Sequence, residues 1–173
     1  MSFYGEMVGF LHGVKFDFDM KFGRNEKKNF TGVRSVNPFD YDVQYSVKAL
    51  NIGCGVGDHV DVAKVEPFLR ENNMTPETAD IEAIKKQFPE FDTDKINDIL
   101  GIISFITFVE NHGLDLSEPN TQLVSISDYI SDLKPESGLP SAEKIAEDTG
   151  ASKELVEKYC GILQEYAKEH RNR

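Results

Sequence analysis

The sequence predicts an α+β fold: a small N-terminal antiparallel β-sheet followed by a mainly α region of two three-helix, helix-turn-helix-like units. Three observations carry this. Apolar and charged residues alternate through residues 14–22, the period-two mark of a half-buried strand. A glycine-rich run, Gly-Cys-Gly-Val-Gly-Asp at 53–58, interrupts regular structure. Beyond it the apolar residues recur at helical spacing. The expected divisions are 1–58 for the β segment, 59–112 for the first helical unit and 122–173 for the second, joined by a linker over 113–121.

In chain order, Val14, Phe16, Phe18, Met20 and Phe22 form one apolar face. The polar stretch 23–29 reads as a turn, and 30–36 as the return strand of a hairpin. Asn37-Pro38 breaks the chain. Tyr41, Val43, Tyr45, Val47 and Ala49 then alternate with Asp42, Gln44, Ser46 and Lys48, which predicts a third strand and a three-stranded meander. In the helical part, candidates fall at 67–72, 76–88 and 94–111. The last is apolar almost all round, from Ile96 to Val109, as expected of a helix buried mid-fold. Asp92 or Thr93 can cap it, and His112-Gly113 ends it. Three more candidates cover 127–134, 141–149 and 152–170.

The two helical stretches can be laid over each other. Residues 65–70 match 126–131, Ile84 matches Ile145, and residues 98–103 match 158–163 after one inserted residue. Each copy is a three-helix unit, and units of this kind often come in pairs because a short helix needs a partner face.

The 173 residues carry 30 acidic and 19 basic side chains, a net charge of −11, and 39% are apolar. The charge is uneven: residues 1–70 hold nine of each sign, while 71–140 hold 14 acids against four bases. That middle segment repels phosphate and suits a basic protein partner or a solvated face. Two cysteines, Cys54 and Cys160, are too few for a disulfide scaffold or a four-cysteine metal site. The first ten residues lack a basic stretch leading into an apolar one, and no apolar run reaches bilayer length. The expectation is a cytoplasmic protein with no membrane contact, in an oligomeric state that composition leaves open.

The most specific motif lies at 138–163. Ala146 is small enough for two helices to cross closely. Gly150, four residues on, can take the left-handed conformation of a tight turn, and Ser152 can cap the next helix. Leu155, Val156, Tyr159, Ile162, Leu163 and Tyr166 form the inward stripe. The motif resembles the helix-turn-helix of bacterial and archaeal regulators, and its Leu-Pro-Ser start is similar to the GntR family of transcription factors. The resemblance implies DNA contact through the outward face of the second helix, with Ser152, Lys153 and Lys158 as the nucleic-acid-binding residues and Glu154 and Glu157 beside them. Two features depart from the family: Lys153-Glu154 replaces an arginine-rich start, and no β-wing follows Leu163.

Other motifs are weaker. Leu-Asn-Ile-Gly-Cys-Gly-Val-Gly at 50–57 resembles the first motif of class I methyltransferases, but the alternating β/α series of that fold does not follow. A turn or hinge is the plainer reading. Asp58, His59 and Asp61 are close together without a second histidine at ligand spacing. Asp92-Thr-Asp94 starts like a calcium loop and lacks its glycine and its final glutamate. Arg24, Lys27, Lys28 and Arg34 lie near Phe22 and Phe30, a basic, aromatic hairpin tip that suits a solvated turn or nucleic acid. The residues thus lead to a non-enzymatic, nucleic-acid-associated regulator with no cofactor and no metal. The competing classes are an acidic protein-interaction adaptor or structural module, and a methyltransferase-like fragment.

Overall fold

The computed structural model describes residues 41–54, 58–133 and 138–171. These residues form seven helices: α1 (Val43–Asn51), α2 (Asp58–Glu71), α3 (Ile81–Gln87), α4 (Thr93–Asn111), α5 (Thr121–Ser131), α6 (Ala142–Thr149) and α7 (Lys153–Arg171). No strand occurs among them. The α+β expectation is therefore corrected to an all-helical architecture for the described chain. The strands read at 14–22 and 30–36, and the basic tip at 23–34, lie outside the described residues.

The third expected strand is α1, for a local reason. The Asp42 carboxylate accepts the backbone N–H groups of Gln44 (3.0 Å) and Tyr45 (3.3 Å), which occupies donors that a helix start leaves orphaned. Two of the five alternating residues also belong to a helical pattern with Ile52. Tyr45, Ala49 and Ile52, spaced by four and three, are buried, whereas Val43 and Leu50 are exposed. The chain leaves α1 through Gly53 at φ 87°. There Cys54 N–H returns to the Ala49 carbonyl (3.1 Å) and Gly53 N–H to that of Leu50 (3.0 Å), a left-handed stop that glycine adopts at no side-chain cost.

Helix α2 runs from Asp58 through Pro67, where the sequence predicts a short helix beginning only at residue 67. Proline removes the donor that the Ala63 carbonyl would use. The structure replaces it: Asp42 N–H donates to the Ala63 carbonyl at 3.1 Å. One bond thus ties the cap of α1 to the middle of α2 and lets the second helix continue.

Helix α4 begins at Asp92, whose carboxylate accepts from Lys95 N–H (2.8 Å). It ends at Gly113, φ 90°, where Leu114 N–H reaches the Val109 carbonyl. Ile96, Ile99, Leu100, Ile102, Phe105 and Ile106 are all buried, as its sequence predicts. It packs against α1, α2, α3 and α7. Helices α5, α6 and α7 pack on one another, and α1 touches both α4 and α5. One continuous apolar core therefore runs from Tyr45 to Ala167. Three of the matched pairs are interior in both stretches: Val65 with Ile126, Ile84 with Ile145, and Ile99 with Tyr159.

Candidate functional site

The C-terminal turn forms as its residues suggest. Ser141 Oγ accepts from Lys144 N–H (3.2 Å) and starts α6. Gly150, φ 76°, ends it, with its N–H on the Ala146 carbonyl (2.9 Å). Ser152 Oγ then accepts from Leu155 N–H (3.2 Å) at the start of α7. Val156, Tyr159, Ile162, Leu163 and Tyr166 face inward and are buried, while Leu155 is half-buried.

The expected nucleic-acid residues are exposed, and two of them, Ser152 and Lys153, give donors to other side chains. Lys153 Nζ lies 2.8 Å from Glu143 Oε1 and 3.7 Å from Glu157 Oε1. The hydrogen bond to Glu143 holds the ammonium above its usual pKa and the carboxyl below its own. Ser152 gives its backbone N–H to Gln122 Oε1 (3.0 Å). Lys158 bends toward the end of α4: its Nζ is 3.7 Å from where a β-carbon on Gly113 would stand. There it faces the negative end of the α4 dipole. Glu154 and Glu157 complete an exposed face of mixed sign.

A second site was not singled out in the sequence. Between α1, α2, α4 and the 74–77 loop lies a cleft of about 580 Å³, within the range of small-ligand pockets. Tyr45, Leu69, Met74, Ile103 and Phe108 give it apolar walls, and Glu66, Glu77, Glu110 and Glu169 outnumber Lys48 and Arg70 around it. Lys48 Nζ bonds Glu110 (3.0 Å) and stands 5.4 Å from the centre of the Tyr45 ring. Arg70 reaches Asp42 and Glu66 only at 3.7 Å and is largely exposed. Glu66 Oε2 is buried with no hydrogen-bond partner. Burial raises the Glu66 carboxyl pKa, and the Arg70 charge offsets this only in part. Burial also pushes the Tyr45 phenol upward, with the Glu66 charge adding to it. The strand reading of 41–49 hid this cleft, because it put Tyr45 and Lys48 on opposite faces of a sheet. The available signal was Glu66 itself, an acid amid Val62, Ala63, Val65, Phe68 and Leu69.

The remaining motifs resolve into internal contacts. Asp58 and Asp61 both hold Lys95, at 2.7 and 3.2 Å. Burial disfavours that ammonium, but the two carboxylates outweigh it and raise its pKa. His59 Nδ1 pairs with Ser46 Oγ at 2.6 Å. Among the described residues no group of three or more His, Cys, Asp or Glu side chains could hold a metal ion. A helix, α1, leads into the glycines after Asn51, so the strand that a methyltransferase motif needs in front of them is missing. Cys54 and Cys160 are buried, which pushes their thiols up to about 12 and about 11. Among the described residues no helix is long and apolar enough to cross a membrane. No protein-family model matches this chain, and no curated protein and no solved structure is significantly similar to it.

Proposed function

We propose that this protein is a non-enzymatic interaction module, an acidic adaptor whose helical region binds a basic protein partner. One observation carries the reading: on the helix expected to face DNA, Lys153 is held between Glu143 and Glu157. Phosphate binding draws its affinity from cations that are available to neutralise the backbone. A cation shared by two carboxylates offers phosphate less net attraction than a free one, and Glu154 and Glu157 beside it repel phosphate. The described stretch 58–133, with 16 acids and five bases, is complementary to a basic surface. The test is binding of the full chain to arginine- and lysine-rich peptides and, separately, to duplex DNA, each across a salt series. Peptide binding that weakens with salt, without DNA binding at about 50 mM salt, supports the adaptor. DNA binding without peptide binding overturns it.

A nucleic-acid-associated regulator is the second reading. It is favoured by the capped turn, with Ser141 and Ser152 at the two helix starts and left-handed Gly150 between them. On that reading Lys153→Ala and Lys158→Ala weaken DNA binding for all sequences and flatten its salt dependence, while Glu154→Gln and Glu157→Gln strengthen it. Mobility shift at low salt decides between the two.

A further inference from the structure

We propose, resting on the adaptor reading, that the cleft between α1, α2 and α4 is an anchor site for an arginine side chain of a basic peptide. Volume, wall chemistry and charge each fit this occupant. A cavity of about 580 Å³ holds one long side chain with part of its backbone. Leu69, Met74 and Ile103 match the methylene stem of arginine, which buries readily against apolar surface while its head stays polar.

The head group must be cationic. Four carboxylates and two cations surround the cleft. Lys48 is neutralised by Glu110, and the weak 3.7 Å contacts of Arg70 leave that side chain able to swing outward. Glu66 supplies the specific acceptor. Its Oε2 has no hydrogen-bond partner, and a buried polar atom left unpaired carries a free-energy cost that an incoming donor relieves. Rotation of the carboxylate toward the cleft presents that oxygen to the ligand.

Guanidinium fits better than ammonium. It carries five donors in one plane, able to bond a carboxylate such as Glu66 in two places, and it stacks on aromatic faces. Tyr45 and Phe108 line the cleft; His112 stacks on one face of Phe108, and Lys48 over the Tyr45 ring shows that a cation is accommodated against an aromatic ring here.

The experiment is calorimetric titration of the full chain with three nine-residue peptides, alternating glycine with arginine, with lysine or with citrulline. Citrulline keeps the shape of arginine and removes its charge. The expected result is that the arginine peptide binds at least about tenfold more tightly than the citrulline peptide, since a charge-assisted bond is lost, and more tightly than the lysine peptide. Glu66→Gln and Glu77→Gln should each weaken arginine binding about fivefold or more, while Glu154→Gln on α7 leaves it unchanged. Backbone amide shifts at Ser104 and Thr107, followed by NMR in the unsubstituted chain, give a readout independent of the Glu66 variant's folding. Equal affinity for the arginine and citrulline peptides overturns the anchor site. So does tight arginine binding that ignores both cleft variants and leaves Ser104 and Thr107 unshifted, although the adaptor reading then survives with its contact elsewhere. Absence of binding to both basic peptides overturns the two together.

Discussion

Asn51 does more to join the molecule than any charged residue near it. Its Nδ2 donates to the carbonyls of Leu116 (2.9 Å) and Glu118 (2.8 Å), and its Oδ1 accepts from Asn120 N–H (3.0 Å). The buried Ser127 hydroxyl donates to the Asn51 carbonyl (3.2 Å) and lies 3.3 Å from the Tyr159 hydroxyl. One amide side chain thus fixes the 114–120 connection against α1 and sets the entry to α5, whose own cap is Asn120. Buried amides earn their place only when every donor and acceptor is met. Asn51→Ala strands the part-buried Asn120 N–H and the carbonyls of Leu116 and Glu118 and should cost on the order of 1–3 kcal/mol. Urea denaturation checks this, and a loss below about 1 kcal/mol would show that water replaces the amide without penalty.

Among the elements, α4 is the central one and α1 the instructive one. Phe105 is fully buried and meets Tyr166 of α7 edge-on at 5.0 Å, so the two helical units share this contact. Phe105→Ala should destabilise the chain by roughly 3–5 kcal/mol, from lost burial and the cavity left behind. A single unfolding transition should move as a whole, because the ring serves both units. Two separated transitions, only one of them shifted, would mean that the units unfold independently. The apolar circumference of α4 and its stop at Gly113 were legible from residue order. Helix α1 was not, because Tyr45 and Ala49 of the period-two run also stand four apart and join Ile52, three residues on, at helical spacing. Asp42 decides between them locally, and its N–H bond to the carbonyl freed by Pro67 decides it tertiarily.

At the scale of the whole molecule, acidity and core interact through Glu66. Its folded pKa is raised, chiefly by burial, so the native state holds the proton more tightly than the unfolded chain, whose glutamate titrates near about 4.3. Stability from this group is fully present below the unfolded pKa and is lost as pH rises through the folded one. The melting temperature of the native chain should therefore fall relative to Glu66→Gln across that window, with the gap widening toward neutral pH. Parallel melting profiles from pH 4 to about pH 8 would show that the carboxylate is not penalised in the fold. The core that buries Glu66 is continuous from Tyr45 to Ala167, and the same helix packing opens the cleft beside it.

Residue order alone determined the helices that carry their own punctuation. Asp92 and Gly113 bound α4, and Ser141, Gly150 and Ser152 shape the C-terminal turn, because caps and left-handed glycines act within a few residues of where they stand. The buried face of α7 was equally local, since its apolar spacing matches one helical turn after another. Tertiary structure alone decided that Pro67 sits inside a helix and that Lys153 is engaged by Glu143 of α6, and it joined the local Asp42 cap in making residues 43–51 helical and not extended. It also decided that Tyr45, Glu66 and Phe108 line one cleft. Each of these depends on a partner far away in the chain or on another helix, and a pattern of period two or 3.6 holds no information about which distant group will supply the missing donor, acceptor or charge.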